Sequence, residues 1–191
     1  MADDAPNDDA LLAAWRAGDA ACGAQLVERH FAMVCRFFRT KLGDDVGDLI
    51  QQTFADCIAS RDTIVVSFKA FLMQIARRRF FDHLRDVYKL GPEEPLELHS
   101  FADSTSSAVT KLARHEREKA LLAAMQRLPL RDQMLLQLSY WDQLSAPEIG
   151  AVLDMPANSV RGALSRARQE LRNHLAAVDS NWETTLTEFA K

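Results

Sequence analysis

Residues 144–175 decide the fold, and they read LSAPEIGAVLDMPANSVRGALSRARQELRNHL. Ser145 and Glu148 have the spacing of a capping box, in which each side chain pairs with the other residue's backbone amide at the start of a helix. A second helix is predicted after Pro156, because apolar residues recur there every three or four positions. The stretch therefore predicts two helices joined by a tight turn, a helix-turn-helix.

Two residues suit the junction between these helices. Gly150 places a small residue where the helices approach each other. Asp154 stands at the turn, where glycine is usual, and aspartate tolerates the left-handed backbone conformation better than most residues. The sequence therefore predicts close packing at Gly150 and an unusual backbone at Asp154.

The second helix has an apolar face and a polar face. Its predicted buried stripe consists of Val160, Ala163, Leu164, Ala167 and Leu171. The other face has no acidic residue and suits phosphates and base edges in a DNA major groove. The residues expected to contact DNA are Asn158, Ser159, Arg161, Ser165, Arg166 and Arg168. A solvated helix of an ordinary bundle can show the same pattern, but the capping box and the turn favour DNA binding.

The composition predicts an all-α protein. The 191 residues include only 7 Gly and 6 Pro, and long stretches are rich in Ala, Leu, Arg, Gln and Glu, which are good helix formers. The first residues lack the features of a signal peptide, and no apolar run approaches the roughly 18 residues of a membrane span. We therefore expect a cytoplasmic protein.

The charge is strongly segregated along the chain. The net charge is −4, yet residues 66–89 contain six basic and two acidic residues, and residues 157–175 contain four arginines and one glutamate. Acidic residues are concentrated near the N-terminus and in the middle of the chain. Two basic segments separated by an acidic stretch suggest two DNA contacts on one chain.

Helical periodicity divides the chain into two predicted domains, residues 8–89 and residues 111–177. Between them, residues 90–110 contain Gly, Pro, Ser and acidic residues without an apolar period, which predicts a flexible linker. Residues 178–191 form a short tail with no assigned role. The expected architecture is two small helical domains joined by this linker.

The first domain contains a basic helix that is predicted to start near Phe68. Leu72, Ala76 and Phe80 should face inward, and the outward face should carry Gln74, Arg77, Phe81, Arg85 and Tyr88, with Arg78 beside them. Arginines interleaved with aromatic rings suit single-stranded DNA, because charge follows the backbone and rings stack on bases. For Phe81, a core contact with a neighbouring helix is the competing interpretation.

Together these segments resemble the extracytoplasmic-function sigma factors of the sigma-70 family. Residues 48–54 (DLIQQTF) are similar to the family's core-polymerase-binding motif, and residues 68–85 are similar to its −10 melting and reading helix. Residues 128–129 (LP), 144–149, 159–161 and 164–168 resemble its −35-reading domain. The motifs occur in the family's order and cover most of the chain apart from the linker.

The resemblance implies a sigma factor that binds core RNA polymerase, reads −35 DNA and melts −10 DNA, with an anti-sigma factor as a further partner and no cofactor. It assigns polymerase binding to Asp48, Leu49, Gln51, Gln52 and Phe54. It assigns −10 DNA to Arg77, Arg78, Phe81 and Arg85. The −35 residues are those already named on the second helix of the helix-turn-helix.

Two other classes of protein are alternatives. A conventional helix-turn-helix regulator that acts without polymerase explains the C-terminal half alone. An enzyme is disfavoured, because the sequence has no GxGxxG motif, P-loop or nucleophile elbow. The five histidines have no metal-binding spacing, and the three cysteines, Cys22, Cys35 and Cys57, are read as small apolar residues. No catalytic or metal site is expected.

Overall fold

The computed structural model describes residues 6–91 and 116–177, and both segments are helical without a β-strand. The first segment contains α1 (Asp8–Arg16), α2 (Ala20–Leu42), α3 (Gly47–Ala59), a 3-10 turn (Arg61–Thr63) and α4 (Phe68–Tyr88). The second contains α5 (Glu116–Gln126), α6 (Leu130–Tyr140), α7 (Ala146–Val152) and α8 (Ala157–Ala176). The predicted all-α class is confirmed. Apart from Leu90 and Gly91, the predicted linker lies outside the described residues, as does the predicted tail.

Side-chain caps explain where several of the N-terminal helices begin. The side chains of Asn7, Asp19 and Ser67 accept hydrogen bonds from backbone amides in the first turns of α1, α2 and α4. The break between α1 and α2 was not predicted. It occurs at Gly18, whose φ of 107° lies in a region that favours glycine.

Aromatic rings fill the core of the first segment. Phe37, Phe38, Phe68 and Phe80 are all at most 1% exposed. The ring of Phe37 contacts those of Phe38 and Phe80 edge-on, with centroids 5.2 and 5.9 Å apart. Edge-to-face pairs of this kind add stability beyond the burial of their area. They hold α4 against α2, so the position of the basic helix is fixed by the core.

The helix-turn-helix forms as predicted. Ser145 and Glu148 make the capping box, and the backbone amide of Ser145 donates to the Glu148 carboxylate at 2.8 Å. Asp154 adopts the left-handed conformation with a φ of 53°. A Cβ atom at Gly150 would lie 2.6 Å from the carbonyl oxygen of Met155, so only glycine fits there.

We expect Gly150→Ala to lower the free energy of unfolding by about 1–3 kcal/mol, because the new methyl group must push the turn backbone away. Denaturant titration measures this loss. Gly162→Ala is the matched control: its nearest contact would be the Arg166 side chain at 3.6 Å. Alanine at Gly162 should stabilise the helix by up to about 1 kcal/mol. Equal stability of the two variants would contradict the close approach at Gly150.

The two helical segments share one apolar core. Residues of α1 to α4 form a continuous buried cluster with residues of α6, α7 and α8, among them Met134, Leu138, Ile149 and Val152. A second cluster lies within the C-terminal segment, between α5, α6 and α8. The helix-turn-helix is thereby held directly on the N-terminal helices. None of the described helices is long and apolar enough to cross a membrane.

Candidate DNA-binding and polymerase-binding surfaces

The polar face of α8 is open to solvent. Asn158, Arg161, Ser165 and the other predicted DNA-contacting residues of this helix are all exposed. Val160, Ala163, Ala167 and Leu171 are buried as predicted, while Leu164 is only half-buried. Arg168 lies at the edge of this face, where its guanidinium is 6.0 Å from the centre of the Tyr140 ring. The predicted division of the helix into two faces is therefore confirmed.

Two adjacent arginines of α4 share one carboxylate on α3. Arg79 donates two hydrogen bonds to Asp56, both at 2.7 Å, and Arg78 donates one at 2.9 Å. The hydrogen bonds from Arg79, followed by its charge and the contact with Arg78, lower the pKa of Asp56. The Arg78 side chain remains 63% exposed. Arg79 therefore ties α4 to α3, while Arg78 presents its charge to solvent.

Phe81 does not face outward, and that prediction is wrong. The ring is 5% exposed and packs edge-on against Phe80, with centroids 5.4 Å apart. It is buried because its side of α4 is covered by neighbouring helices, as the competing interpretation of a core contact predicts. The guanidinium of Arg77 lies 5.4 Å from the ring centre, so Phe81 supports an arginine that was expected to contact DNA.

The remaining predicted −10 residues border a cleft of about 520 Å³. Its walls come from α4 and from the segment after α3 and, on the other side, from the helix-turn-helix. The lining includes Phe71, Gln74, Arg77, Arg78 and Arg85 from α4, together with Val152 and Asp154. Arg85 lies 3.5 Å from Asp82 on the same helix. The α4 side of the cleft thus carries three arginines and the acidic residue Asp82, and the turn contributes Asp154.

Three of the five predicted polymerase-binding residues are exposed, and the other two are partly or fully buried. Asp48, Gln51 and Gln52 are exposed on α3, Leu49 is half-buried, and Phe54 is buried. Phe54 stacks on Phe31 of α2, with ring centroids 5.9 Å apart and planes inclined by 15°. Three polar side chains therefore form the accessible part of this face, and Phe54 fixes the helix that carries them.

Two models of the same protein family match this chain. Sigma-70 region 2 matches residues 26–89, and Sigma-70 region 4 matches residues 118–171. The chain belongs to the sigma-70 family. The sigma factor is similar to the extracytoplasmic-function factor SigE of Mycolicibacterium smegmatis, with 28% identity over 181 residues, covering 93% of the chain and 67% of SigE.

Two solved structures show the same fold as this sigma factor. CnrH, determined in complex with the cytosolic domain of CnrY, has a TM-score of 0.66 and 24% identity, covering 90% of the chain and 99% of CnrH. RpoE, determined with the anti-sigma factor NepR from Bartonella quintana, has a TM-score of 0.57 and 21% identity, covering 82% of the chain and 97% of RpoE. The matched regions and the extracytoplasmic-function relatives identify promoter-specific transcription initiation as the function. They do not favour the conventional regulator that acts without polymerase.

The sequence did not reveal a buried polar cluster between α2 and α6 of this sigma factor. Arg36 donates to Asp142 at 2.6 Å, and Lys41 donates to the side chain of Gln137 and, at 3.2 Å, to the carbonyl oxygen of Phe37. Burial lowers the pKa of Lys41 to about 7 and raises the pKa of Asp142. These residues lie about a hundred positions apart in the chain, so no local pattern could bring them together.

Proposed function

We propose that three surfaces of this sigma factor have separate binding roles in transcription initiation. Asp48, Gln51 and Gln52 bind core RNA polymerase. Arg77, Arg78 and Arg85 of α4 hold the −10 DNA during melting. The polar face of α8 reads the −35 element in the major groove. The protein acts in the cytoplasm and contributes DNA and polymerase contacts, not catalysis.

The observation that carries the −35 assignment is the open face of α8. Arg161 lies in the second turn of the helix, and the first turns of a recognition helix enter the groove deepest. An arginine paired with guanine through two hydrogen bonds discriminates between bases by about 1–3 kcal/mol. Arg166 and Arg168 lie further along the helix and suit phosphate contacts, which supply affinity without sequence information.

We expect Arg161→Ala to relax the base preference at one −35 position by roughly 5- to 150-fold, since the arginine–guanine pair would be lost. Arg168→Ala is the matched control on the same helix. It should weaken all promoters about equally and reduce the salt dependence of binding. Selection from a promoter library with the polymerase complex measures both effects. Unchanged base preferences in the Arg161→Ala variant would refute the assigned role.

We expect the double substitution Asp48→Ala and Gln51→Ala to weaken binding to core polymerase by about tenfold or more, because two exposed polar contacts disappear. The free energy of unfolding should stay within about 0.5 kcal/mol of the wild-type value, since neither side chain is buried. Asp9→Ala with Gln25→Ala is the control, as it removes the same two residue types from exposed positions on α1 and α2. Equal recovery of polymerase by both double variants would contradict the proposed surface.

An anti-sigma factor is the proposed further partner. RpoE, which shares the fold, was solved with the anti-sigma factor NepR, and CnrH was solved with a domain of CnrY. Such a partner would act by covering surfaces that polymerase or DNA needs. Purification of the sigma factor from its native host, followed by identification of stoichiometric partners besides polymerase, tests this part of the proposal.

A further inference from the structure

The segment that joins α3 to α4, residues 60–67, forms one wall of the cleft beside the basic helix. Ser60 and Thr63 line this cleft together with three arginines of α4. A 3-10 turn holds the start of the segment, because the amide and the hydroxyl of Thr63 both donate to the carbonyl oxygen of Ser60, at 3.0 and 2.8 Å. The position of this wall relative to the arginines therefore determines the shape of the cleft.

Arg16, the last residue of α1, binds the backbone in the middle of the 60–67 segment. Its guanidinium donates through Nε and Nη2 to the carbonyl oxygen of Arg61, at 3.1 and 3.0 Å, and through Nη2 to that of Ile64 at 2.8 Å. A planar guanidinium presents several donors in a fixed fork, whereas a lysine ammonium is a single point of charge. Arg16 therefore fixes two points of the segment relative to α1.

The hydrogen bond to Ile64 also affects which side chains of the segment are buried. Ile64 is 6% exposed, whereas Val65, the next residue, is 94% exposed. The backbone at Ile64 is extended, and successive side chains of extended backbone point to opposite sides. A shift of the segment by one residue would therefore exchange the buried and exposed side chains. The bond from Arg16 to the Ile64 carbonyl opposes such a shift.

α1 is itself held firmly against α2 and α4. The Trp15 ring lies so close to Gly23 of α2 that a Cβ atom there would be 2.4 Å from the indole nitrogen. The same ring contacts Phe68 edge-on, with centroids 6.3 Å apart, and the guanidinium of Arg61 lies 5.6 Å from its centre. Trp15 and Arg16 thus contact the start of the segment and the first residue of α4, which follows it. Contacts of this kind hold a binding site in its geometry without touching the ligand.

We propose that Arg16 is a positioning residue for the recognition of −10 DNA. By binding two of its carbonyl oxygens, Arg16 holds the 60–67 segment where Ser60 and Thr63 complete the cleft beside the arginines of α4. It acts through the segment and not by contact with DNA. Arg16 lies outside residues 26–89, which match Sigma-70 region 2. The inference rests on the proposed role of α4 in −10 binding.

Arg16→Ala tests this role in the complex of the full chain with core polymerase. Arg29→Ala is the matched control, because it also removes an exposed arginine that anchors α1. The contacts of Arg29, with Asp8 at 2.7 Å and with the carbonyl oxygen of Pro6 at 3.0 Å, join the start of α1 to α2. Each complex selects from a promoter library that is randomised at the −10 and −35 elements. Permanganate footprinting follows promoter opening, and affinity for core polymerase and thermal unfolding are measured for each variant.

We expect Arg16→Ala to reduce the base preference at one or two −10 positions by about fivefold and to slow promoter opening by about tenfold, because one wall of the cleft is no longer held. Its −35 preferences and its affinity for core polymerase should equal those of the wild type, which a general loss of structure would not allow. Arg29→Ala should keep the wild-type −10 preferences. A wild-type −10 profile in Arg16→Ala would overturn the proposal, and so would the same altered profile in Arg29→Ala.

Arg16→Lys is a second test that remains informative if alanine prevents folding. Lysine keeps the positive charge but cannot donate to both carbonyl oxygens in the geometry of the guanidinium fork. The preference at the same −10 positions should fall by about twofold or more, because one of the two carbonyls loses its donor. A wild-type −10 profile in Arg16→Lys would likewise overturn the proposal.

Arg78→Ala in the same complex separates this proposal from the proposed function. If Arg78→Ala opens promoters at the wild-type rate, the −10 role of α4 fails, and the role of Arg16 fails with it. If Arg78→Ala is impaired but Arg16→Ala keeps the wild-type −10 profile and rate of opening, only the positioning role of Arg16 fails.

Discussion

Replacing Lys41 with methionine is expected to raise the free energy of unfolding at pH 7 by about 1–4 kcal/mol, as is found when buried charges are exchanged for apolar residues of similar volume. Lys41 is 6% exposed, and the two acceptors of its ammonium group, Phe37 O and Gln137 Oε1, are neutral. Asp142, whose charge acts on Lys41, is paired with Arg36. Desolvation of Lys41 is therefore not compensated by a direct ion pair.

The same residue should make stability depend on pH. Burial lowers the pKa of Lys41 from 10.5 to about 7, so between these values the unfolded chain binds a proton that the folded chain has released. The free energy of unfolding consequently rises with pH across this window. The destabilisation that comes from burying the Lys41 ammonium is fully present below about pH 7. Between pH 7 and pH 9 the free energy of unfolding should increase by about 2 kcal/mol, since one unit of pKa difference corresponds to about 1.4 kcal/mol.

Denaturant titration at pH 7 and pH 9 measures both effects. The methionine variant should lose the part of the pH dependence that belongs to Lys41. Arg39→Met serves as the control, because it removes a half-exposed cation from the same helix. If the wild type and Lys41→Met showed the same change in stability between the two pH values, Lys41 would not be buried in solution.

The second large effect is expected at Arg78. Alanine there should slow open-complex formation by about 10- to 100-fold, because a charge-assisted hydrogen bond to DNA contributes about 1.5–3 kcal/mol. Stability should change by less than about 0.5 kcal/mol, since the exposed Arg78–Asp56 pair contributes little. Arg78 can exchange its hydrogen bond to Asp56 for one to DNA with little loss of free energy, because Arg79 still donates two hydrogen bonds to that carboxylate.

Arg79→Ala is the matched comparison one residue away. It removes both hydrogen bonds to Asp56 that tie α4 to α3, and the expected loss of stability is about 1 kcal/mol after allowance for partial exposure. Permanganate footprinting follows promoter opening, and thermal unfolding follows stability. The assignment would be refuted if Arg78→Ala destabilised the protein as much as Arg79→Ala while opening promoters normally.

The features that the sequence predicts correctly are those that depend on residues close together in the chain. The capping box at Ser145, the left-handed residue at Asp154 and the two faces of α8 each follow from residues a few positions apart, and the structure confirms them. The break at Gly18 was missed, because apolar periodicity continues on both sides of it.

Features that depend on distant parts of the chain were not predicted. A helical wheel of α4 alone predicts an outward Phe81, because it does not show which other helices cover that side of α4. The sequence does not predict that Asp56 pairs with Arg78 and Arg79, because it lies more than twenty positions from them in the chain. The contacts between α4 and the helix-turn-helix were missed for the same reason.

The carboxylate of Glu148 has a consequence for engineering. It completes the cap of α7 through Ser145, and it also accepts from Ser67, the residue that caps α4. Although burial opposes the change, hydrogen bonds from Ser145 and Ser67 lower the pKa of Glu148, so the anion serves both helix starts. A chimera that joins this N-terminal segment to another sigma factor's helix-turn-helix would keep the link only if the incoming segment carried a glutamate or glutamine at the same position. Grafting of promoter specificity between such proteins is therefore constrained at a residue that is not on the DNA-reading face.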